Sequence, residues 1–511
     1  MKVIKLHETN PEDLAPFEKE QCYNALDTMV THDVYGALAP QLDATTAATY
    51  EFSKALQGPV LEMRLRGVLV DQGAQAAALD AIYAQMDQLE ADLDRLVREG
   101  FGLYDFNWRS PKALQGLFYD VLGLPSIRNH GKPTVDRAAR EKLGQDLIAS
   151  QLVRHINTLT ELGDRASVLK TSIDPDGRIR TSYNIGGTST GRFSSSTSEF
   201  GTGGNLQNIE ESLRSIYVAD PGFKFAKCDA KSGESYCVGA LEGNLFDDWT
   251  YLEACESGDP HTAAARIVWP GLGWTGDFAR DKHIAEQPFY RGHSYRFMCK
   301  KLGHGSNYGG QPHTLAEQTR LPLHVVQEFQ PKYFAAFPAH QRWQHWVDTE
   351  LRQRGCLTSL TGRKRWFFGR RNEPATLREA IAYDPQGSLA DIVNRAMLKL
   401  WRQGLTIVMH DHDALTFMYR ERDEDRLIPQ LLRDLVVPIP LAGGRELRIP
   451  YDCETGWNKG KHSEANPNGL KPYSGHDERK RQKTPSILDR PLRGGNPKAL
   501  RPEDLSAVGS D

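Results

Sequence analysis

Four polar residues in a row, His410-Asp411-His412-Asp413, stand between two β-prone apolar runs, Thr406–Met409 and Ala414–Tyr419. Short apolar runs around a tight polar turn predict a β-hairpin. A carboxylate held at a hairpin tip by rigid strands suits the oxygen coordination of Mg²⁺, although Asp also favours turns on its own account. A second carboxylate has a similar setting. Phe223–Cys228 alternates like a strand and runs into Asp229-Ala230-Lys231-Ser232-Gly233-Glu234, which puts Asp229 at a strand end before a helix. Asp229 and Asp411 together make a candidate two-carboxylate metal site.

A different chemistry is suggested by Tyr295–Gly310, where Arg296, Lys300, His304 and Tyr308 follow at four-residue steps. On a helix they form one slowly drifting stripe. Two cations suit a triphosphate, and a ring suits stacking on a base. A merely solvated charged face would not need rings in register with glycines at 303, 305, 309 and 310. Arg178–Asn208 is rich in Ser, Thr, Gly and Asn, with TSTGRFSSS at 188–196 and NLQN at 205–208. Such residues let backbone approach phosphates closely, and Arg192 and Gln207 can hydrogen-bond minor-groove acceptors; taken alone, the stretch is a polar loop. GRKRWFFGRR, within Arg352–Arg371, reads as a basic and aromatic hairpin suited to a nucleic-acid backbone.

The elements that must hold these groups are legible in outline. The chain has 511 residues, 39% hydrophobic and 25% charged, which predicts a large soluble globular protein with several subdomains. A net charge of −3 leaves nucleic-acid binding to local patches. Seven scattered cysteines with no CxxC pair argue against a disulfide framework or a zinc site. The start MKVIKLHETNPED has no apolar signal core and no run reaches the ~18 residues of a membrane span, so a cytosolic protein is expected. Glu18–Leu42 reads as a helix carrying Tyr23 and Asp27 one turn apart, a pair that can orient a metal-activated water but equally fits a surface helix. Gly58–Asp71 reads as an apolar helix, a Gly turn and a short strand. Gln75–Glu99 has a heptad seam of Leu79, Ile82, Met86, Leu89, Leu93 and Leu96, which wants one antiparallel partner. Glu141–Lys170 can supply it through Leu143, Leu147, Leu152, Ile156, Leu159 and Leu162. The connecting stretch, with a capped helix start at Asn107–Pro111 and basic residues Arg109, Lys112, Arg128 and Lys132, suits either a duplex-straddling arm or a structural one. Arg378–Trp401 reads as a helix interrupted at Pro385-Gln386-Gly387, Glu446–Tyr451 as a final strand, and 463–511 as a disordered, mildly basic tail.

These pieces, in this order from roughly Gly58 to Asn458, resemble the family A DNA polymerases, most closely the phage-type members. The motifs carrying the resemblance are Thr190–Asp229, Arg296–Gly309, Arg378–Gln386 and His410–Asp411. The resemblance implies an α+β fold with right-hand architecture: an antiparallel palm sheet, a helical thumb and helical fingers. It divides the chain into 1–42, the end of a 3′–5′ exonuclease domain; 43–171, thumb; 172–250, palm; 251–372, fingers; 373–462, palm again; and the tail from 463. It makes Asp229 and Asp411 the holders of two Mg²⁺ ions, and Arg296, Lys300 and His261 ligands of the incoming triphosphate, Lys300 also a proton donor to pyrophosphate. Tyr308 is then the ring at the template position, His304 a nucleotide contact, and Glu234 the residue that crowds a sugar 2′-hydroxyl. Arg192, Gln207, Arg378 and Gln386 track the primer–template minor groove, and His410 contacts the primer terminus. Primer–template DNA and dNTPs are the implied partners.

The sequence departs from the family pattern at several positions. His304 stands where Phe or Tyr is usual, His412 where Glu follows the catalytic Asp, and Ala382 where Asn is common, while Thr197–Gly204 looks inserted. Tyr23 and Asp27 resemble the last exonuclease motif, but the first two carboxylate motifs are missing, so no proofreading by this chain alone is expected. A separate exonuclease subunit docking on residues 1–42 and a leftover helix are equal readings; a processivity factor would also fit. The expected setting is phage DNA replication in an infected host cell, with a host repair enzyme as the alternative. The alternatives are a single-subunit RNA polymerase, disfavoured by Glu234, and a DNA-binding protein with a degenerate site, disfavoured by the joint presence of Asp229, Asp411, Arg296 and Lys300.

Overall fold

The computed structural model describes residues 10–290 and 292–474, and they form two compact units. One takes in residues 58–233, 392–438 and the chain from 448. Its centre is a five-stranded antiparallel sheet of β1 (Phe223–Ala230), β2 (Thr406–Asp411), β3 (Ala414–Arg420), β4 (Tyr451–Gly456) and β5 (Lys471–Pro472), in the order β2-β3-β1-β4-β5. The β2–β3 hairpin is the one expected, with His412 and Asp413 as its loop. His412 takes a φ of 57°, the left-handed conformation that two-residue hairpin turns require. Register matters more than strand count here. Asp411 pairs with Ala414, Ala414 with Asp229, and Asp229 with Asp452, so three carboxylates and one small side chain share a row on one face.

Phe225, Met409 and Leu470 of this sheet region belong to the same core as the long helix Gln72–Phe101 and its partner Leu147–Leu169. The first helix starts at Asp71, whose side chain accepts from Ala74 N at 2.9 Å, and stops at Gly102 with φ 65°. Its buried Ile82, Met86, Leu93 and Val97 pack with Leu152, Ile156, Leu159 and Leu162, each worth roughly 1.5–3 kcal/mol of burial. The expected seam is corrected at one end. Leu147 opens its helix and is exposed, while Leu143 belongs to a separate helix, Arg137–Leu143. Ahead of this pair, Gln57–Arg66 turns at Gly67 (φ 63°) into Val68–Val70, as the sequence implied.

Three further expectations change. The last long strand starts at Tyr451 rather than Glu446, because Pro450 offers no N–H to a ladder. The segment from 463 onward is not wholly outside the fold: Lys471 and Pro472 pair with Thr455 and Glu454, and Leu470 is buried. Residues 475–511 of the expected tail lie outside the described residues. Finally, Pro374–Arg402 is one continuous helix with Pro385 inside it. Burial of Tyr383, Leu389, Ala390 and Val393 on either side outweighs the ~3 kcal/mol that an interior proline costs.

The other unit comprises the chain to Gln57, Glu234–Asp391 and Ile439–Leu447. It is mainly helical. Gly233–Phe246, Thr250–Glu256, Pro260–Val268, Leu323–Ala336 and Pro338–Arg354 enclose Tyr251, Val326, Phe329, Tyr333 and Trp343. The basic stretch forms a hairpin, Cys356–Thr358 against Lys364–Trp366, but two of its arginines are committed to ion pairs: Arg363 to buried Asp391 and Arg365 to Glu379. Pro16–Leu38 is a helix with no buried residue among those described, and it carries Tyr23 and Asp27 on its exposed surface. Among the described residues, no helix is long and apolar enough to cross a membrane.

Candidate active site

The sheet unit holds a cleft of about 360 Å³ lined by Gln207, Arg214, Lys227, Asp229, Asp411 and Lys459, among others. The register row explains why the two aspartates meet there. Ala414 lies between them and its small buried side chain leaves the space above it open. Asp229 is open to solvent at the surface of the sheet, yet the surrounding chain and the carboxylates of Asp413, Asp452 and Glu454 push it up to about 6, with Lys227 pulling the other way. Oδ2 of Asp411 faces Nζ of Lys459 at 2.7 Å. Oδ1 of Asp411 is buried and makes no hydrogen bond. Burial pulls the Lys459 ammonium below the ordinary lysine range, against the pull of Asp411.

A divalent cation fits this donor set. It would satisfy the orphaned Oδ1 of Asp411 and relieve the crowding that raises Asp229. Among the described residues there is no ready-made group of three acidic, His or Cys ligands, so water and substrate oxygens would complete the coordination.

The neighbours are partly as expected. Gln207 lines the cleft, and its Nε2 is buried with no hydrogen bond. Arg192 is held by Asp413, with Nη2 3.1 Å from Oδ1. His412 reaches Asn208 at 3.3 Å. His410 does not line the cleft: it is 1% exposed, stacks on Phe193 at 4.5 Å and bonds Asn394 Oδ1 at 2.9 Å. Burial pushes its imidazole down to about 4. Strand alternation turns this side chain away from Asp411 and Asp229, so in this structure it packs beneath the hairpin rather than in the cleft. Lys459, Arg214, Lys227 and Asp452 were missed from sequence. Lys459 follows the last long strand in GWNKGKH, where no periodicity points at the cleft; only the sheet register makes Asp452 visible.

The helical unit gathers the second set. Tyr295–Met298, the π-turn Cys299–Gly303 and His304–Asn307 replace the single expected α-helix. The wider π-turn offsets the drift of four-residue steps and so straightens the stripe. Arg296 donates to Asp259 twice, Nε to Oδ2 at 2.6 Å and Nη2 to Oδ1 at 3.2 Å. Burial would raise the Asp259 carboxyl, but these bonds and the one from Thr262 bring it below the usual range. His261 is pushed down to about 4, mainly by burial and then by the charges of Arg296 and Lys300. Lys300 is exposed. The Tyr308 hydroxyl donates to Glu234, and the His304 ring meets Tyr308 edge-on at 5.0 Å with its Nε2 3.9 Å from the Glu234 carboxylate. In the same unit Arg378 is exposed and Gln386 half-buried, both on Pro374–Arg402. The Tyr23 hydroxyl is raised by its hydrogen bond to Asp27.

The two units, a mixed α+β one with two sheet-borne aspartates and a helical one with a cation-and-ring stripe, have known counterparts. The profile of DNA polymerase family A matches residues 76–269 and 282–461. The chain belongs to that family. The thermostable DNA polymerase I of Thermus aquaticus is 27% identical over 427 residues, 78% of this chain and 47% of that protein. DNA polymerase I of Pseudomonas aeruginosa is 27% identical over 473 residues, 87% of this chain and 48% of that protein. The chain therefore spans about half the length of these relatives. The fold resembles the polymerase domain of Pol1 from M. smegmatis, solved with DNA primer-template and dNTP, with a TM-score of 0.61 at 21% identity, covering 80% of this chain and 69% of that one.

Proposed function

We propose that this chain is a template-directed DNA polymerase that adds deoxynucleotides to a primer 3′-hydroxyl. The observation that carries the reading is the row Asp411–Ala414–Asp229, with a buried, unbonded carboxylate oxygen in the cleft. Two Mg²⁺ ions held by Asp229 and Asp411 would supply Lewis-acid activation of the 3′-hydroxyl and neutralise charge on the leaving pyrophosphate. Arg296 and Lys300 bind the triphosphate, His261 adds a neutral contact, and Lys300 gives a proton to the pyrophosphate. Tyr308 stacks at the template position, His304 borders the sugar, and Glu234 disfavours a 2′-hydroxyl. Gln207, Arg192, Arg378 and Gln386 follow the minor groove. In this scheme the five-stranded sheet belongs to the palm, the long helix pair to the thumb, and the helices after Tyr251 to the fingers. Primer extension with Mg²⁺ tests it: dNTP-dependent extension lost in Asp411→Asn supports the reading. Intact primer–template binding without extension would favour the degenerate DNA-binding alternative.

The helix Pro16–Leu38 favours a second element of the proposal, that residues 1–42 are the end of an exonuclease domain on which a separate exonuclease subunit docks. None of the described residues of that helix is buried, and Tyr23, Met29 and Val30 are each at least 58% exposed. On this reading the chain alone does not proofread, and a mismatched 3′ end incubated with it stays intact; excision by the purified chain would sink it. Phage replication in an infected cell's cytoplasm, and a processivity factor, complete the proposal. The relatives named above are bacterial and lend no weight to the phage setting.

A further inference from the structure

The helical unit holds a continuous string of buried polar side chains that takes no part in the chemistry proposed above. Glu242, on Gly233–Phe246, meets Nδ1 of His340 on Pro338–Arg354. Nε2 of His340 lies 3.3 Å from the Tyr333 hydroxyl, and that hydroxyl donates to Oδ1 of Asn307 at 3.0 Å. Nδ2 of Asn307 donates in turn to the Tyr251 hydroxyl at 3.2 Å. Tyr251 then bonds Ser235, the neighbour of Glu234. Glu242, His340, Tyr333 and Asn307 are each no more than 1% exposed.

The donors run in one direction. Tyr333 has a single hydroxyl proton, and Asn307 Oδ1 can only accept it, so toward His340 the tyrosine oxygen is an acceptor. Nε2 of His340 therefore carries a hydrogen, and one further proton is shared between Nδ1 and Glu242. Burial raises the Glu242 carboxyl, and either placement of that proton leaves the pair with no net charge. The string is not the cheapest core: Oε2 of Glu242 is buried without a hydrogen bond, and packed apolar side chains would avoid that cost.

What the string holds is the end of the nucleotide-facing stripe. Gln344 Nε2 donates to the carbonyls of Ser306 and Asn307, both at 2.9 Å, and Gln330 donates to Ser306 Oγ at 3.0 Å. Asn307 is thus pinned through its side chain and its backbone. The next residue, Tyr308, donates to Glu234, whose own neighbour Ser235 closes the string. We propose that Glu242, His340, Tyr333 and Asn307 form a positioning device that sets Tyr308 against Glu234, and thereby sets the preference for a deoxyribose over a ribose at that site. The inference rests on the polymerase reading and deepens it.

The test uses the full chain bound to a primer–template with a dideoxy-terminated primer, and measures equilibrium binding of dATP and ATP opposite a templating T. Tyr333→Phe keeps the ring and removes the linking hydroxyl; Asn307→Leu removes the pin. The expected result is a dATP-over-ATP preference reduced by about tenfold in each variant and no further in the double variant, with primer–template affinity unchanged. An unchanged preference in both variants, even with a lowered melting temperature, would mean the string is only structural. A wild type that binds dATP and ATP equally would overturn the reading of Glu234 itself, and the inference with it.

Discussion

Nζ of Lys459 stands 2.7 Å from Oδ2 of Asp411, inside the cleft that also exposes Asp229. The ammonium is 4% exposed and the carboxylate 14%, so this is a mostly desolvated pair whose other carboxylate oxygen has no hydrogen bond. Removing the cation leaves a charge with little water to compensate it. Lys459→Met is expected to lower stability by roughly 2–4 kcal/mol in metal-free buffer. Millimolar Mg²⁺ should recover part of that loss, because a cation that binds only the folded cleft stabilises it by mass action. Urea unfolding with and without Mg²⁺ checks this. An identical loss in both buffers would show that Lys459 and the cation do not share Asp411.

Asp384 gives a pH dependence of a different kind. It is 4% exposed, accepts from Leu360 N at 3.1 Å and Ser388 Oγ at 2.7 Å, and is pushed up to about 7, chiefly by burial. The folded chain therefore holds a proton there that the unfolded chain releases near 3.8. Stability from this group is fully present below that value and is lost as pH rises through about 7. Asp384→Asn keeps a hydrogen-bond acceptor without a charge. It is expected to be more stable than wild type by about 1–3 kcal/mol at pH 8, with the difference closing toward pH 4. Melting curves across that range decide it; a gap independent of pH would refute the argument.

How much of this was legible beforehand depends on how local each feature is. Asp411 and its hairpin are written in fourteen contiguous residues as two short apolar runs around a polar turn, and the fold reproduces them strand for strand. The stripe from Arg296 to Tyr308 was equally plain, although the π-turn that straightens it leaves no mark in residue type. Lys459 and Asp452 reach Asp411 and Asp229 only through pairing of β4 with β1, a long-range register that no local pattern carries. The place of His410 was hidden for a related reason. Its adjacency to Asp411 in sequence puts it on the opposite face of the strand, under Phe193 rather than over the cleft. β5 was hidden because two residues in a Pro- and Gly-rich stretch resemble the tail that follows.

Glu234 carries the sugar-selection part of the proposal. Its Oε2 accepts from the Tyr308 hydroxyl and lies 3.9 Å from the His304 ring nitrogen, so Tyr308 holds one oxygen of the carboxylate in place. Glu234→Ala opens that space. Incorporation of ribonucleotides relative to deoxynucleotides is expected to rise by on the order of tenfold or more, since on the proposed reading discrimination comes from an obstruction rather than from added attraction. Single-nucleotide extension assays with paired dNTP and rNTP substrates measure it. An unchanged ratio would remove Glu234 from the specificity argument and return weight to His304.

Arg296 is poised by a fork. Its Nε and Nη2 both reach the Asp259 carboxylate, which Thr262 steadies from the other side. The neighbouring His261, pushed down to about 4, is neutral at pH 7, so the cationic charge available to a triphosphate here comes from Arg296 and Lys300. Lysine in place of Arg296 keeps the charge but loses the planar two-point attachment, and its free ammonium must be ordered anew on each binding event. Arg296→Lys is therefore expected to raise the dNTP KM about tenfold, near 1.4 kcal/mol, with kcat changed by only a few-fold. Arg296→Ala, which also removes the charge and leaves Asp259 buried without its partner, should raise KM further and lower the melting temperature. Steady-state kinetics and a thermal scan on both variants separate the two contributions. If Arg296→Lys behaved like wild type, charge alone would suffice, and the fork with Asp259 would serve only to hold the helix.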